Sequence, residues 1–179
     1  IIMKKTIAIA ALMTASFHVV NANAADHTFS VGYAQTDISR LNDDLKGLAL
    51  KYRYEPGRLG LLVGLTGTAL DDITSITAVN NQIVLNSVER TYGSFHIGPT
   101  YRFNDMVSGY ATLGYATYKV EGKSGKSVTG SIEDSSFAFG TGLEVNLTQH
   151  ISVNGGVEYS EHLFDSTALT YTVGLGYRF

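Results

Sequence analysis

Large apolar and aromatic side chains recur at every second position in six stretches of this chain, and the charges within those stretches all fall on the opposite parity. At the carboxyl end Leu169, Tyr171, Val173, Leu175, Tyr177 and Phe179 alternate with Thr170, Thr172, Gly174, Gly176 and Arg178. Near the start Leu48, Leu50, Tyr52 and Tyr54 alternate with Gly47, Ala49, Lys51, Arg53 and Glu55. The same texture returns around Phe29–Tyr33, Phe95–Phe103, Phe137–Leu147 and Ile151–Tyr159, and less cleanly at 59–70 and 107–120. Period-2 alternation marks strands with two unlike faces, and it gives eight of them. In a soluble barrel the apolar face points inward, but bulky aromatics on every strand would overfill an eight-stranded interior. Turned inside out, the aromatics face lipid, and small or paired polar residues fill the lumen. The expected fold is therefore all-β: an eight-stranded antiparallel transmembrane β-barrel with protruding extracellular hairpins.

Turn placement fits. Pro56-Gly57, Asn104-Asp105 and Thr148-Gln149-His150 are tight connections that alternate with longer polar ones near Arg40, Asn80, Gly125 and Asp165. Short periplasmic turns and long outer loops are the pattern of outer-membrane barrels, and an even strand number puts both ends on the short-turn side. Halving the spacing between short turns gives arms of about 14, 22, 20 and 14 residues, against the ~9–11 that a tilted strand needs to cross. Strands 3 to 6 should therefore stand above the membrane, with the outer edges of strands 3 and 6 losing their neighbours. A two-residue turn near Asn80-Asn81 would pair odd with even positions, so a three-residue turn or a bulge is expected there.

The amino end reads as a secretory signal. Met3-Lys4-Lys5 is a basic start, Ile7 to Phe17 an apolar run too short to span a bilayer, and Ala22-Asn23-Ala24 a small-residue cleavage site. Residues 1–24 are expected to be removed, leaving 25–179 as the barrel. The chain holds no cysteine, which excludes disulfides and thiolate metal sites. Its net charge of −3 gives no support to nucleic-acid binding.

The stretches "GLALKYRYE" (47–55) and "YTVGLGYRF" (171–179) resemble the two signature motifs of the Ail/Lom family of enterobacterial outer-membrane proteins, which includes OmpX, PagC and Rck. "GYAQTD" (32–37) and "GPTYRFND" (98–105) are similar to the same family, and Ala49 departs from its usual asparagine. The resemblance implies an outer-membrane location. It also implies, for several members, adhesion to or invasion of host cells, or resistance to complement in serum. For OmpX-like members it implies a structural or stress-response envelope role without a dedicated ligand, which is the alternative here. In such barrels a terminal phenylalanine, here Phe179, resembles the signal read by the barrel assembly machinery.

The inward charges Lys51, Arg53, Glu55, Arg102, Glu144, Glu158 and Arg178 are expected to form a structural network, because buried charges must be paired. No catalytic, cofactor-binding or metal-binding residue is expected. A lipid A-modifying enzyme is the remote alternative, but Glu161 and His162 are adjacent on a strand and point to opposite faces, and His96 has no evident nucleophile. The outer connections carry more acid than base, and their candidate binding residues are Arg40, Lys46, Arg90, Lys123 and Lys126. Expected partners are outer-membrane lipid and lipopolysaccharide, host extracellular or complement-regulating proteins, and the assembly machinery, with the barrel itself a monomer.

Overall fold

Eight strands follow one another: β1 (His27–Ile38), β2 (Leu45–Tyr54), β3 (Leu59–Val79), β4 (Gln82–Arg102), β5 (Val107–Ser124), β6 (Ser127–Asn146), β7 (Ile151–Leu163) and β8 (Ser166–Arg178). Each pairs antiparallel with its neighbour, and β1 closes on β8. This is a computed structural model describing residues 27–39, 41, 43–79, 82–124, 127–163 and 166–179, with the side chains of 72–85, 162 and 163 outside the description. The leader read at 1–24, and Arg40 and Lys126, lie outside the described residues.

Closure satisfies every spanning strand's backbone without a helix, which a lipid environment demands. Its surface is the inverse of a soluble protein. Leu175 is 66% exposed and Phe137 73%, while Lys51, Arg53, Glu55, Glu144 and Glu158 are buried. The closing seam is tight. Gly32 faces Gly174 across it, and a Cβ on Gly32 would lie 2.5 Å from the Val173 carbonyl oxygen.

Strand length divides the molecule. β3 and β4 run 21 residues each, β5 18 and β6 20, whereas β2 has only 10. Pairing of β2 with β3 ends at Lys46–Ala69, and pairing of β6 with β7 begins only at Ala138–Ser160. Strands β3 to β6 therefore continue upward as a four-stranded fin. Among the described residues, 70–79 on one side and 127–137 on the other have no second strand beside them. The parity conflict at the β3–β4 tip is resolved by a bulge. Ile73 pairs Ser87, but Ser75 pairs Asn86, so one extra residue shifts the register. The β5–β6 tip repeats the device between Gly122 and Lys123.

One expectation needs correction. Aromatic side chains do not all face lipid: Tyr92, Tyr110 and Tyr118 are buried inside the barrel. Tyr92 and Tyr118 join Ile38, Leu45, Ala116, Ala138 and Ala168 in an apolar plug, on which Leu41, Leu70 and Val120 pack. Much of this plug comes from the extracellular ends of β1, β2 and β8, so it sits beneath the fin.

Candidate functional site

Below the plug the lumen is held by two polar hubs. Glu55, at the periplasmic end of β2, is fully buried. Its Oε2 accepts from Arg53 Nη1 at 3.0 Å, Arg102 Nε at 3.0 Å and Ser108 Oγ at 2.9 Å, and its Oε1 accepts from Thr100 Oγ1 at 2.8 Å. Arg53 also reaches Glu144 Oε1 at 3.0 Å, and Arg178 donates from Nη1 to the Thr148 carbonyl at 3.1 Å. Higher up, Lys51 donates to Tyr110 Oη at 2.9 Å, Asn154 Oδ1 at 3.1 Å and Thr172 Oγ1 at 2.9 Å. Glu158 accepts from Tyr92 Oη at 2.6 Å, with His96 Nε2 3.8 Å away. All seven inward charges thus lie on the lumen face, divided between two levels instead of joined in one ring. With side chains across the bore and the plug above it, this interior is a packed core rather than a channel.

Sequence reasoning missed the tyrosines of this core. Tyr110 and Tyr92 complete the upper hub, through Lys51 and Glu158 respectively, and the signal was their parity. Each stands two residues from a small lumen-facing one, Thr112 and Ser94. A tyrosine scores as apolar in an alternation pattern, although its hydroxyl lets it serve a polar interior.

His96 is buried beside Glu158, beneath the plug. Glu161 accepts a hydrogen bond from Tyr159 Oη at 2.8 Å, on the outer face. Among the described residues, no cluster of three metal-ligating side chains occurs.

Among the described residues, the outer basic side chains are not gathered into one patch. Lys123 on β5 is ion-paired with Glu89 on β4. Lys119 lies 2.5 Å from Glu121, whose hydrogen bond and charge hold the lysine above its usual pKa. Arg90 stands two residues before buried Tyr92, on the face that looks over the barrel mouth, and hydrogen-bonds Tyr118. Lys46 is exposed at the top of β2, at the foot of the fin's β3 edge. At the opposite end Phe179 and His27 exchange backbone hydrogen bonds at 3.2 and 2.9 Å. Their rings stack at 5.7 Å, and Tyr177 lies 6.2 Å from Phe179, so an aromatic stack clips the periplasmic end of the seam.

Comparison with known proteins agrees with this architecture. The family model described as "Outer membrane protein beta-barrel domain" matches residues 7–179. The virulence membrane protein PagC of Salmonella typhimurium is 32% identical over 99% of this chain and 100% of its own length. Outer membrane protein X of Enterobacter cloacae is 30% identical over the same shares. The crystal structure of Ail, the attachment invasion locus protein of Yersinia pestis, in complex with the heparin analogue sucrose octasulfate, superposes with a TM-score of 0.77. That protein is 30% identical, and the match covers 88% of this chain and all of the other. The inside-out barrel, its plugged lumen and these full-length matches together make the chain a member of the Ail/Lom family of outer-membrane β-barrel proteins.

Proposed function

We propose that this chain is a surface protein that captures extracellular host or serum proteins through the fin, in the manner of adhesion and serum-resistance factors. The carrying observation is that, among the described residues, stretches 70–79 and 127–137 have a strand on one side only, in a sheet that stands above the membrane. Free backbone donors and acceptors along such an edge are a template for strand addition, and main-chain pairing tolerates varied partner sequences. Export after removal of residues 1–24, and assembly guided by Phe179, belong to the same reading.

A sulfated ligand of the kind bound to the Yersinia pestis protein finds less support here. Lys123 is already neutralised by Glu89, and Arg90 is turned toward the mouth. Steering by Arg40, Lys46, Lys123 and Lys126 should weaken with salt, while the edge contribution persists. The second reading, an envelope protein without a ligand, draws on the lumen, where each inward charge has at least one contact within the barrel.

The test is binding of serum and matrix proteins, and serum survival, by a naive strain expressing the chain. Trimming residues 71–88 to a short turn should leave the barrel folded and abolish both. A proline at an edge position whose N–H points outward should do the same without touching a charge. If both variants behave like the parent while Lys123→Glu with Lys126→Glu does not, capture is electrostatic and strand addition is wrong. No gain by the parent chain would favour the ligand-free reading.

A further inference from the structure

The fin's two edges run in opposite directions. β3 starts beside the short Pro56-Gly57 turn and rises, whereas β6 descends to the short turn at 148–150. Around the closed ring β3 to β6 take four strands, and β7, β8, β1 and β2 take the other four, so the edges stand on opposite flanks of the barrel. β2 pairs no higher than Lys46–Ala69, and β7 meets β6 only from Ala138–Ser160 downward. Above those levels, among the described residues, no further strand covers either edge.

Each edge is charged at its foot and uncharged above it. On β3, Asp71 and Asp72 precede "ITSITAV" (73–79); on β6, "SVTGSI" (127–132) precedes Glu133 and Asp134. Both upper segments lack charge and proline and are rich in β-branched residues, the composition of strands that pair with their own kind. On β6, Val128 and Ile132 are 55% and 59% exposed. Copies in one membrane all point the same way and differ only by rotation about its normal. β6 against β6, or β3 against β3, would therefore run parallel, with the mouth face of one fin beside the outer face of the other. β3 against β6 runs antiparallel with like faces on one side, which is how the strands within the fin already pair.

We propose that a second copy of this chain is a partner for these edges: 73–79 of one fin pairs antiparallel with 127–132 of the next. Every copy in such a contact keeps its other edge free on the opposite flank, so the interface is heterologous and extends into rows instead of closing a dimer. Two features keep the ladder short. The acidic feet repel each other, and each edge carries a bulge, between Ile73 and Ser75 on β3 and between Val128 and Gly130 on β6. Rows of this kind form and part readily, and a captured foreign strand competes with a neighbouring copy for the same backbone groups. The inference rests on the free edges that the proposed capture also uses, but it needs no extracellular protein.

The chain has no cysteine, so introduced ones report contact without background. Two differently tagged full-length chains are co-expressed in a naive strain, one with Ser131→Cys and the other with a cysteine at each position from 70 to 79 in turn. Intact cells are oxidised in buffer without serum, and heat-modifiable mobility shows that every variant is folded. A disulfide needs Cα atoms within about 4.4–6.8 Å, so only residues opposite each other react. One position within 73–79 should give about tenfold more mixed dimer than positions two or more residues away, and about tenfold more than Ser131→Cys with itself. Moving the first cysteine to Ile132 should move the favoured partner one residue down β3. Salt screens the acidic feet, so the mixed dimer should hold or increase as salt is raised. No mixed dimer, equal yield at every position, equal yield between identical edges, or a mixed dimer lost in salt overturns the row. Any of those results leaves capture of host strands to its own serum assay. A register-locked mixed dimer in a strain that gains no serum binding would sink capture and keep the row.

Discussion

Glu55→Gln is the sharpest test of how the lumen is held. Three donors, from Arg53, Arg102 and Ser108, converge on Oε2, whereas only the Thr100 hydroxyl reaches Oε1. A glutamine can keep the crowded position as its carbonyl by placing its NH2 at Oε1, where the Thr100 hydroxyl can turn to accept. Geometry then survives and only the charge is lost. The two arginine bonds fall from ion pairs to bonds between a cation and a neutral carbonyl, and the Ser108 bond falls from charge-assisted to neutral, a loss of ~1 kcal/mol apiece. The sum, ~3 kcal/mol, meets the lower end of the ~3–5 kcal/mol expected when one partner of a buried ion pair is removed. Arg53 keeps Glu144 at 3.0 Å, but Arg102 retains only the Glu55 backbone carbonyl from this hub. Urea unfolding in lipid vesicles, followed by far-ultraviolet circular dichroism and by gel mobility, should show the loss. Adding Arg102→Gln should cost less in the Glu55→Gln background than alone, giving a measurable coupling. A loss below ~0.5 kcal/mol, the range of an ordinary surface change, would refute the hub.

Three further outcomes follow from the same structure. Leu175→Arg, on the lipid face of β8, should cost ~2–4 kcal/mol near the membrane centre. Thr172→Ser, which keeps the hydroxyl that Lys51 uses in the lumen, should cost far less in the same unfolding assay. Tyr92→Phe should cost ~1–3 kcal/mol, because Glu158 Oε1 loses its 2.6 Å donor beneath the plug. Phe179→Ala should lower the amount of folded protein reaching the cell surface far more than it destabilises an assembled barrel, read as surface level against unfolding midpoint.

The parity of charge was legible because a strand sends neighbours to opposite faces, so Lys51, Arg53 and Glu55 announced one surface before any partner was known. The fin was legible for a similar reason, since turn spacing measures arm length and a membrane has fixed thickness. Tyr110 was not. Its stretch, "SGYATLGYATY", carries tyrosines on both parities, and only the small Ser108, Thr112 and Gly114 around it show which face is the lumen. The Lys123–Glu89 pair lay further out of reach. Its members stand in different hairpins, and the diagonal that joins them depends on the register of the β4–β5 pairing beside a bulge.

Stability and recognition are separated along the barrel axis, and this separation explains how the fin can afford its open edges. The Glu55 and Lys51 hubs, the Gly32–Gly174 seam and the plug over them all act on strands paired on both sides. Above Ala69 on β3, and before Ala138 on β6, that double pairing ends. Among the described residues, the polar contacts of the Glu55 and Lys51 hubs all come from strand segments below the fin, so changes at the fin's tips should leave those hubs intact. An exposed edge is ordinarily an aggregation hazard, and proteins commonly blunt it with charge, bulges or shortening. Here both tips carry bulges, and the outer face of the fin carries the Lys119–Glu121 and Lys123–Glu89 pairs. Those devices limit indiscriminate pairing while leaving each edge long enough for a chosen strand. Changes that alter the fin should therefore move binding without moving the unfolding midpoint, and changes around Glu55 should do the reverse.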